Sequence, residues 1–396
     1  MKTIIEAQLI DELLDRGVEH IYPNRDLLKK ELLSGKCLKL YCGFDPSGAS
    51  LHIGHAITIN KLAAFQALGH EVIFLIGGFT GMIGDPTDKK ATRKKLTKEE
   101  VMANSTNYVQ QAKAYLDFDG TNGAQVKNNY DWQSKLTFAD LIELASNFTV
   151  GQMLVRDMFQ VRIAEERPIY LHEFLYPLAQ AYDSLEMDVD LEVGGNDQLF
   201  NMMAGRDLMK AVKGKEKFVM TLKLLADEHG TKMGKTEGNA LFLDATAKEM
   251  FGQVMSWPDG FIAPAFELCT KKSWEEVKEI KNKLQTGANP MEFKLALALE
   301  IVTLVHGVEM ADEAREYFRA TVQDRQIPTD LKLVSGATAL EVAVNYFGET
   351  KSRGDIKRLF AQGAVSVNEV KISDLETPVK SGDAVQMGKR DWAKIM

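Results

Sequence analysis

The sequence predicts an α/β fold in which a parallel sheet is followed by an all-α region and a small α+β tail. In the N-terminal part, apolar strand-like runs alternate with amphipathic helical stretches. From Thr246 to Arg325 no strand pattern occurs, and residues 351–396 differ in charge from the rest. Strands that alternate with long helices are typical of a parallel sheet covered on both faces, and such sheets bind nucleotides at the carboxyl ends of their strands.

The elements of the parallel sheet can be placed in order. Residues 4–34 are predicted to be helical, because apolar residues recur at helical spacing among acidic ones. Two units of a buried strand and a helix follow, at Leu38–Phe44, Ile53–Leu68, Glu71–Phe79 and Lys98–Leu116. Further β-rich runs lie near 124–130, 189–193 and 217–225. The sequence therefore divides at about residue 240, where this alternation ends.

The remaining chain is predicted to contain a helical domain at 241–325, a linker at 326–338 and a tail domain at 339–396. Pro328 and Gly336 mark the linker. Residues 351–396 contain nine Lys/Arg and six Asp/Glu, although the whole chain has a net charge of −8. A basic module on an acidic body is typical of a nucleic-acid-binding appendage, but ordinary variation in charge explains this excess about as well.

The composition predicts a soluble globular protein: 45% of the 396 residues are hydrophobic and 26% are charged. Its apolar runs are much shorter than the roughly 20 residues of a membrane-spanning helix. The N-terminus lacks the basic start and apolar run of a secretory signal, so we expect a cytoplasmic protein. The three cysteines form no CxxC pair and the histidines show no metal-binding pattern, so no metal site is predicted.

The segment Tyr41–His55 gives the first sign of a nucleotide site. An apolar strand ends at Phe44, a turn with Asp45 follows, and a helix starts near Gly54. His52, Gly54 and His55 are thus predicted to lie where a helix offers unpaired N–H groups and a positive dipole end, which favours a phosphate. The alternative is a pair of capping or core histidines.

Two later basic segments suit the same ligand. The polar, glycine-rich segment 228–239 carries Lys232 and Lys235, and such a loop can close over a triphosphate. Segment 84–95 carries Lys89 and Arg93 after the predicted strand at Glu71–Phe79. Taken alone, a solvated surface loop explains 228–239 better, and a charged surface turn also explains 84–95.

These segments resemble a known family. HIGH at 52–55 and KMGKT at 232–236 resemble the two signatures of class I aminoacyl-tRNA synthetases. Other segments resemble the tyrosine-specific enzymes within that family. They are YCGFDPSGASLHIGH, LIGGFTGMIGDPT, NNYDW, GGNDQ at 194–198 and the spacing of Tyr176, Gln180 and Asp183. Residues 352–368 resemble the small RNA-binding domain of the ribosomal protein S-four type. The second signature usually reads KMSKS, so Gly234 and Thr236 are departures from it.

The resemblance implies a Rossmann-like catalytic domain over 1–240, an anticodon-arm-binding helical domain over 241–325 and an S-four-like RNA-binding domain over 339–396. It implies that tyrosine is activated with ATP, with magnesium on the phosphates, and is then joined to the terminal ribose of its tRNA. Family members are homodimers.

The resemblance also implies roles for individual residues. Tyr41 and Asp183 would hold the phenolic hydroxyl of tyrosine. The other residues implied to bind tyrosine are Asp85, Tyr176, Gln180 and Gln198. ATP would lie along Cys42, Asp45, Gly54, His55, Thr58, Gly195, Asp197, Gln198, Lys232, Lys235 and Thr236. The groups that would stabilise the reacting phosphates are His52, His55, Lys89, Arg93, Lys232 and Lys235. For tRNA, Arg353, Lys357 and Arg358 fall on one predicted helical patch and could meet phosphates.

Three alternatives remain at this stage. The tryptophan-specific enzymes share both signatures, but the pair of Tyr41 and Asp183 and the basic tail favour tyrosine. An adenylyltransferase of the same superfamily would act without RNA, against which the helical domain and the tail argue. A catalytically silent RNA-binding relative would have lost a residue such as His52, Lys232 or Asp183, and all three are present.

Overall fold

A computed structural model describes residues 2–85, 96–226, 240–324, 331–348, 350–388 and 391–396. The chain divides into two compact units, Met1–Val308 and Glu309–Met396. Each unit contains a sheet accompanied by helices, which confirms the predicted α/β class.

The described part of the first unit forms one six-stranded sheet with the order β1-β6-β5-β2-β3-β4. Its strands are β1 (Val18–Tyr22), β2 (Lys39–Phe44), β3 (Glu71–Ile76), β4 (Gln125–Asn128), β5 (Leu191–Gly195) and β6 (Phe218–Leu222). All neighbours pair in parallel except β1, which is antiparallel to β6. The chain runs outward from β2 on one side and from β5 on the other, so the strand order reverses between these two neighbours. Ligands of open α/β sheets bind at such a reversal, beyond the carboxyl ends of the strands.

The strands of this sheet are apolar along most of their length and covered on both faces. Leu40, Ile73, Phe74 and Leu191 are fully buried. Continuous apolar runs of this kind are typical of parallel strands packed between helices, whereas antiparallel strands with one wet face alternate. The sheet is therefore a rigid core that fixes the positions of the loops at its carboxyl edge.

Helices precede, connect and follow these strands. They are α1 (Ala7–Asp15), α2 (Arg25–Leu33), α3 (Ile53–Ala67), α4 (Thr80–Ile83), α5 (Lys98–Ser105), α6 (Tyr108–Ala112), α7 (Tyr130–Gln133), α8 (Phe138–Ala145), α9 (Val150–Leu154), α10 (Asp157–Ala164), α11 (Leu171–Met187), α12 (Leu199–Lys213), α13 (Ala247–Met255), α14 (Ile262–Cys269), α15 (Trp274–Gln285) and α16 (Pro290–His306). As predicted, no strand of either sheet lies between 240 and 324 in the described residues. Of the helices that the structure describes, none combines the length and the apolar composition needed to cross a membrane.

Two predicted elements were wrong in detail. Residues 4–34 are not helical throughout, because β1 lies between α1 and α2 and pairs with β6. The single helix predicted at Lys98–Leu116 is two helices, α5 and α6, separated by a turn at Thr106 and Asn107. In both cases a helix was predicted across residues at which the structure shows a helix to end.

The second unit contains α17 (Val308–Phe318), a π-helical turn at Arg319–Gln323, β7 (Lys332–Val334), α18 (Ala339–Phe347), α19 (Arg353–Ala361), β8 (Val365–Val367), β9 (Val370–Ile372), β10 (Ala384–Met387) and β11 (Asp391–Ile395). Its strands form a sheet of order β7-β11-β10-β8-β9 among the described residues. Phe347, Ile356, Phe360 and Val385 belong to its buried core. Because β7 pairs with β11, the linker predicted at 326–338 includes a strand of this small α+β domain.

Candidate active site

The residues predicted from the catalytic signatures lie on loops and helices around the reversal between β2 and β5. β2 carries Tyr41 and Cys42, and Asp45 follows directly after its end. α11 carries Tyr176, Gln180 and Asp183, which are spaced so that they share one face of the helix. Gly195, Asp197 and Gln198 continue from β5 into a short 3₁₀ turn at Asn196–Gln198.

Asp183 is a buried carboxylate held by three neutral donors. It is 2% exposed, and it accepts from Asn129 Nδ2 at 3.0 Å, Trp132 Nε1 at 2.8 Å and Gln133 Nε2 at 2.8 Å. Burial raises its pKa to about 7, although the three hydrogen bonds lower it. Asp183 thus has hydrogen-bond partners for its lone pairs but no basic side chain among those partners.

Tyr41 lies close to this carboxylate. Its side chain is 1% exposed, and its hydroxyl is 2.8 Å from Ser184 Oγ. The pKa of Tyr41 is raised well above its usual value, first by burial and then by the negative charges of Glu192 and Asp183. A buried phenol and a buried carboxylate near each other suit recognition of an aromatic hydroxyl, since together they offer a donor and an acceptor.

A second pair of carboxylates lies at the same edge. Tyr176 donates its O–H to Asp45 Oδ2 at 2.8 Å, and Thr80 Oγ1 donates to Asp45 Oδ1 at 2.6 Å. The other carboxylate, Asp85, accepts from Gln198 Nε2 at 2.6 Å. These acceptors suit a substrate ammonium, which only donates hydrogen bonds.

Two further contacts complete the surroundings of these carboxylates. A guanidinium nitrogen of Arg156 is 3.8 Å from Asp85 Oδ1. Gln180 Nε2 donates to Glu192 Oε1 at 2.9 Å. Protein groups therefore hold the side chains of Asp85 and Gln180 in place.

His52 and His55 cap the start of α3 and stack on each other, with ring centroids 3.8 Å apart. His52 Nδ1 accepts from the N–H of Gly54 at 3.1 Å, and His55 Nδ1 accepts from the N–H of His52 at 3.1 Å. A neutral ring that accepts at Nδ1 carries its proton on Nε2, so both rings are set to donate from Nε2. Gly54 allows this arrangement, because a Cβ there would lie 2.9 Å from the His52 ring.

This capping corrects one prediction. The N–H groups at the start of α3 are not unpaired: those of Ile53, Gly54 and His55 bond to Leu241 O, His52 Nδ1 and His52 O. The two histidines are helix caps, as the alternative explanation from the sequence had it, and they also carry Nε2–H donors. A phosphate at this site would therefore meet imidazole N–H groups rather than backbone N–H groups.

Other predicted ATP neighbours line the same region. Thr58 is buried on α3 and donates its hydroxyl to His55 O at 2.8 Å. Burial raises the pKa of the Cys42 thiol to about 12, so this cysteine is a neutral thiol at physiological pH. Asp197 lies beside Gln198, whose amide is 3.4 Å from Asp197 Oδ2.

Five predicted residues, Lys89, Arg93, Lys232, Lys235 and Thr236, lie outside the described residues. The described residues just after 227–239 are nevertheless informative. The N–H of Leu243 bonds to Leu51 O, and Phe242 forms an isolated bridge with His52. The described chain that begins at residue 240 therefore lies beside the histidine pair.

In the second unit, the predicted RNA-binding residues lie on α19. Arg353, Lys357 and Arg358 are exposed on this helix, and Arg358 forms an ion pair of 2.6 Å with Asp355. The patch is therefore basic and accessible, but one of its three charges is partly neutralised.

Several residues of the site were not predicted from the sequence. They are Thr80, Asn129, Trp132, Gln133, Arg156, Ser184, Glu192 and Lys217, each of which contacts a predicted residue or a direct neighbour of one. The NNYDW match contained Asn129 and Trp132, but a motif match alone did not assign them a contact. Among the described residues, no group of three or more His, Cys, Asp or Glu side chains could hold a metal ion.

Comparison with known proteins agrees with this geometry. Residues 34–323 match the family model described as tRNA synthetases class I (W and Y). The chain belongs to this family. The synthetase is 41% identical to a tyrosine–tRNA ligase of Carboxydothermus hydrogenoformans, with 97% of each chain covered. It is 39% identical to that of Coxiella burnetii, over 99% of each chain.

Solved structures show the same fold. A truncated mitochondrial tyrosyl-tRNA synthetase of Aspergillus nidulans matches with a TM-score of 0.66 and 24% identity, covering 79% of this synthetase and 93% of that chain. An Archaeoglobus fulgidus tyrosyl-tRNA synthetase complexed with L-tyrosine matches with a TM-score of 0.61 and 19% identity, covering 78% and 100%. This protein is thus an aminoacyl-tRNA synthetase with a Rossmann-like catalytic sheet.

Proposed function

We propose that this synthetase activates L-tyrosine with ATP and transfers it to the terminal ribose of its tRNA. The observation that carries the choice of tyrosine is the buried pair of Tyr41 and Asp183. A substrate phenol would donate to Asp183 and accept from Tyr41. Phenylalanine would leave both buried groups without that partner, and an unmade hydrogen bond of a buried group costs about 1–3 kcal/mol.

The ammonium end of the pocket follows from the second set of acceptors. Asp85, Tyr176 and Gln180 would receive the substrate ammonium, with Gln198 beside Asp85 and the substrate carboxylate. Tyr176 already meets Asp45 and Gln198 already meets Asp85, so these groups are preorganised. Preorganised acceptors do not need to reorient when the substrate arrives, which favours binding.

In the first step a carboxylate oxygen of tyrosine attacks the α-phosphorus of ATP, and the bond to the bridging oxygen of the β-phosphate breaks. His52 and His55 would donate from Nε2 to the phosphate as its charge develops. Lys89, Arg93, Lys232 and Lys235 would neutralise the leaving pyrophosphate. Asp45, Gly54, Thr58, Gly195, Asp197 and Thr236 would line the nucleotide, with Cys42 at its ribose.

Magnesium enters this proposal as part of the nucleotide substrate. The described residues contain no set of three ligands for it, so it would be held by the phosphates, which is common for Mg²⁺. In the second step the ribose hydroxyl of the tRNA attacks the carbonyl carbon of the adenylate, and AMP leaves. We propose that the enzyme acts in the cytoplasm, where a bacterial tRNA substrate would be found.

Pyrophosphate exchange with each amino acid tests the substrate directly. We expect exchange with tyrosine and none with tryptophan, the substrate of the other branch of the family. Asp183→Ala should remove nearly all tyrosine-dependent exchange while the protein remains folded by circular dichroism. Normal exchange in that variant would refute the role of Asp183, and exchange with tryptophan alone would refute the choice of substrate.

For tRNA, we propose that residues 241–325 contact the anticodon arm and that residues 339–396 form an S-four-like RNA-binding domain using Arg353, Lys357 and Arg358. A truncation should start before β7, because that strand belongs to the C-terminal sheet. Removing residues 331–396 should reduce tRNA charging but leave tyrosine-dependent exchange unchanged. Unchanged charging, or loss of exchange in a folded truncation, would contradict this division of labour.

We also propose a homodimer. Exposed large apolar side chains concentrate between α8 and α11, where Phe138 is 78% exposed, Val150 70% and Leu171 77%. A contiguous exposed apolar surface is typical of an interface. Sedimentation should show a dimer for the wild type and a shift towards monomer for Phe138→Glu, whereas a monomeric wild type at micromolar concentration would overturn this proposal.

A further inference from the structure

A buried ion pair contacts Ser184 and Gln180, which belong to or adjoin the proposed tyrosine site. Lys217, which precedes β6, is 0% exposed, and Glu192 on β5 is 2% exposed. The Lys217 ammonium donates to a carboxylate oxygen of Glu192 and to Ser184 Oγ, the latter at 2.8 Å. Removing two charges from water costs free energy unless hydrogen bonds satisfy both groups. An ion pair buried this deeply therefore requires an explanation.

One branch of this network reaches Tyr41 through Ser184. A lysine ammonium can only donate, so Ser184 Oγ accepts from Lys217 and retains one proton. Its two nearby acceptors are Tyr41 Oη at 2.8 Å and Glu192 Oε2 at 3.3 Å, and the contact with Tyr41 is the shorter of the two. The Ser184 proton therefore goes to Tyr41. With Ser184 as the donor in this bond, the Tyr41 proton is directed to another acceptor, which is Glu192 in the free protein and would be the oxygen of a substrate phenol in the complex.

The second branch reaches Gln180. Glu192 Oε1 accepts from Gln180 Nε2 at 2.9 Å. A carboxylate cannot face the carbonyl oxygen of an amide, so this bond fixes which way the Gln180 amide is turned. Gln180 Oε1 is thus directed away from Glu192 and can serve as an acceptor for the substrate ammonium.

A glycine leaves the space that this network occupies. Gly205 on α12 lies beside it, and a Cβ at this position would be 2.6 Å from Lys217 Nζ and 2.8 Å from Ser184 Oγ. A larger residue at 205 would therefore displace Lys217 or Ser184. The close packing of α12 against these two residues suits a role in orientation.

We propose that Lys217, Glu192 and Ser184 are positioning residues for tyrosine, acting on the phenol through Tyr41 and on the ammonium through Gln180. The inference rests on the proposed function, in which those two residues contact the substrate. It assigns to the ion pair a part in choosing tyrosine over phenylalanine. None of the three residues needs to touch the substrate.

Ser184→Ala tests the Tyr41 branch, because it leaves both charges of the ion pair in place. In pyrophosphate exchange, we expect a roughly tenfold higher KM for tyrosine, unchanged kcat and KM for ATP, and a smaller preference for tyrosine over phenylalanine, as the loss of one oriented hydrogen bond predicts. In a Tyr41→Phe background, Ser184→Ala should have little further effect, since its action passes through the Tyr41 hydroxyl. A full additional loss in that background, or a folded Ser184→Ala enzyme with wild-type KM and discrimination, would overturn the proposal.

Charge variants test the pair itself. Lys217→Gln and Glu192→Gln should each raise the KM for tyrosine, and combining them should restore part of the loss, because both amides are neutral and can still form a hydrogen bond.

Lys61→Gln is the matched control: Lys61 is also buried, but its ammonium donates to the backbone oxygens of Leu13 and Arg16. This control should lower thermal stability without changing the KM for tyrosine, and an equal KM increase would overturn the assignment. Absence of tyrosine-dependent exchange in the wild type would instead refute the proposed function.

Discussion

The two ends of the candidate site are built differently. At the phenol end, Tyr41 and Asp183 are almost fully buried, and the contacts described for them are to protein groups. At the phosphate end, His52 and His55 are half-buried, cap the same helix and use Nδ1 for the backbone. The first end consists of buried side chains that bond to one another's neighbours, whereas the second consists of partly buried rings at a helix end whose Nδ1 atoms bond to the backbone.

We expect this difference to separate two functions: the phenol end would select the amino acid, and the phosphate end would set the rate of adenylate formation. A buried carboxylate among neutral donors is expected to discriminate between substrates, because a substrate without a phenol cannot supply the additional hydrogen bond that tyrosine would donate. Donors aimed at a phosphate act mainly when charge develops in the transition state. Changes at the phenol end should therefore alter tyrosine binding, and changes at the phosphate end should alter kcat.

The largest effect is expected from His52→Asn. An asparagine oxygen can still cap α3 by accepting the N–H of Gly54, since Asn is a preferred N-cap residue, but the imidazole Nε2–H is lost. We expect kcat for adenylate formation to fall by about 10²–10³, the usual cost of removing one such donor, with little change in tyrosine affinity. Single-turnover kinetics and equilibrium tyrosine binding measure the two quantities.

The control for this variant is His20→Asn, which changes an exposed histidine on β1. It should behave like the wild type. A His52→Asn enzyme that loses tyrosine affinity instead of kcat would contradict the separation between the two ends.

The next effect is the pH dependence of tyrosine binding without ATP. Burial raises the pKa of Asp183 to about 7, so its carboxylate is protonated as the pH falls below that value. A protonated Asp183 no longer offers the substrate phenol a charged acceptor. Affinity should thus be constant above pH 7 and decrease by up to about tenfold per pH unit below it. The negative charge of Glu192 contributes to raising the Asp183 pKa, although burial is the larger cause.

Equilibrium titration by fluorescence or calorimetry between pH 5.5 and 8.5 can follow this change. ATP binding over the same range is the comparison, since Asp183 lies at the other end of the pocket. A flat tyrosine profile across pH 7 would show that Asp183 remains ionised in the free protein.

The sequence predicted the parts of the site that depend on local patterns. An apolar run, a turn at Asp45 and an apolar-faced helix were enough to place His52 and His55 at the start of α3. A spacing of four and three residues placed Tyr176, Gln180 and Asp183 on one face of α11. Helical periodicity also predicted the helices between 246 and 324.

What the sequence did not reveal depends on contacts between distant segments. β1 was predicted as helix because its strand character comes from pairing with β6, about 200 positions later in the chain. The donors to Asp183 come from Asn129, which follows β4, and from α7, and the partner of Tyr41 comes from α11. No local pattern specifies such pairs, so Lys217 and Glu192 had no sign in the sequence that linked them to each other or to the pocket.

A smaller effect should follow from Tyr176→Phe. This change removes only the O–H that donates to Asp45 at 2.8 Å, while Thr80 still donates to the same carboxylate. A hydrogen bond to a charged group contributes about 1.5–3 kcal/mol, so tyrosine affinity should fall by about 10- to 150-fold. Tyr182→Phe is the matched control on α11, because its hydroxyl bonds to Glu186 at an exposed position. Equal losses in both variants would show that the effect comes from the helix and not from the site.

The smallest effect is expected from Gly54→Ala at the phosphate end. The added methyl would lie 2.9 Å from the His52 ring, so the ring must move away from the N–H that it caps. We expect a several-fold lower kcat, unchanged tyrosine affinity and a loss of stability near 1 kcal/mol, which is typical of a lost N-cap. Gly252→Ala is the control, because it adds a methyl within α13 with no atom nearby and should stabilise the protein slightly. If Gly54→Ala weakened tyrosine binding instead, the histidine pair would be coupled to the phenol end, and the two ends would act as one site.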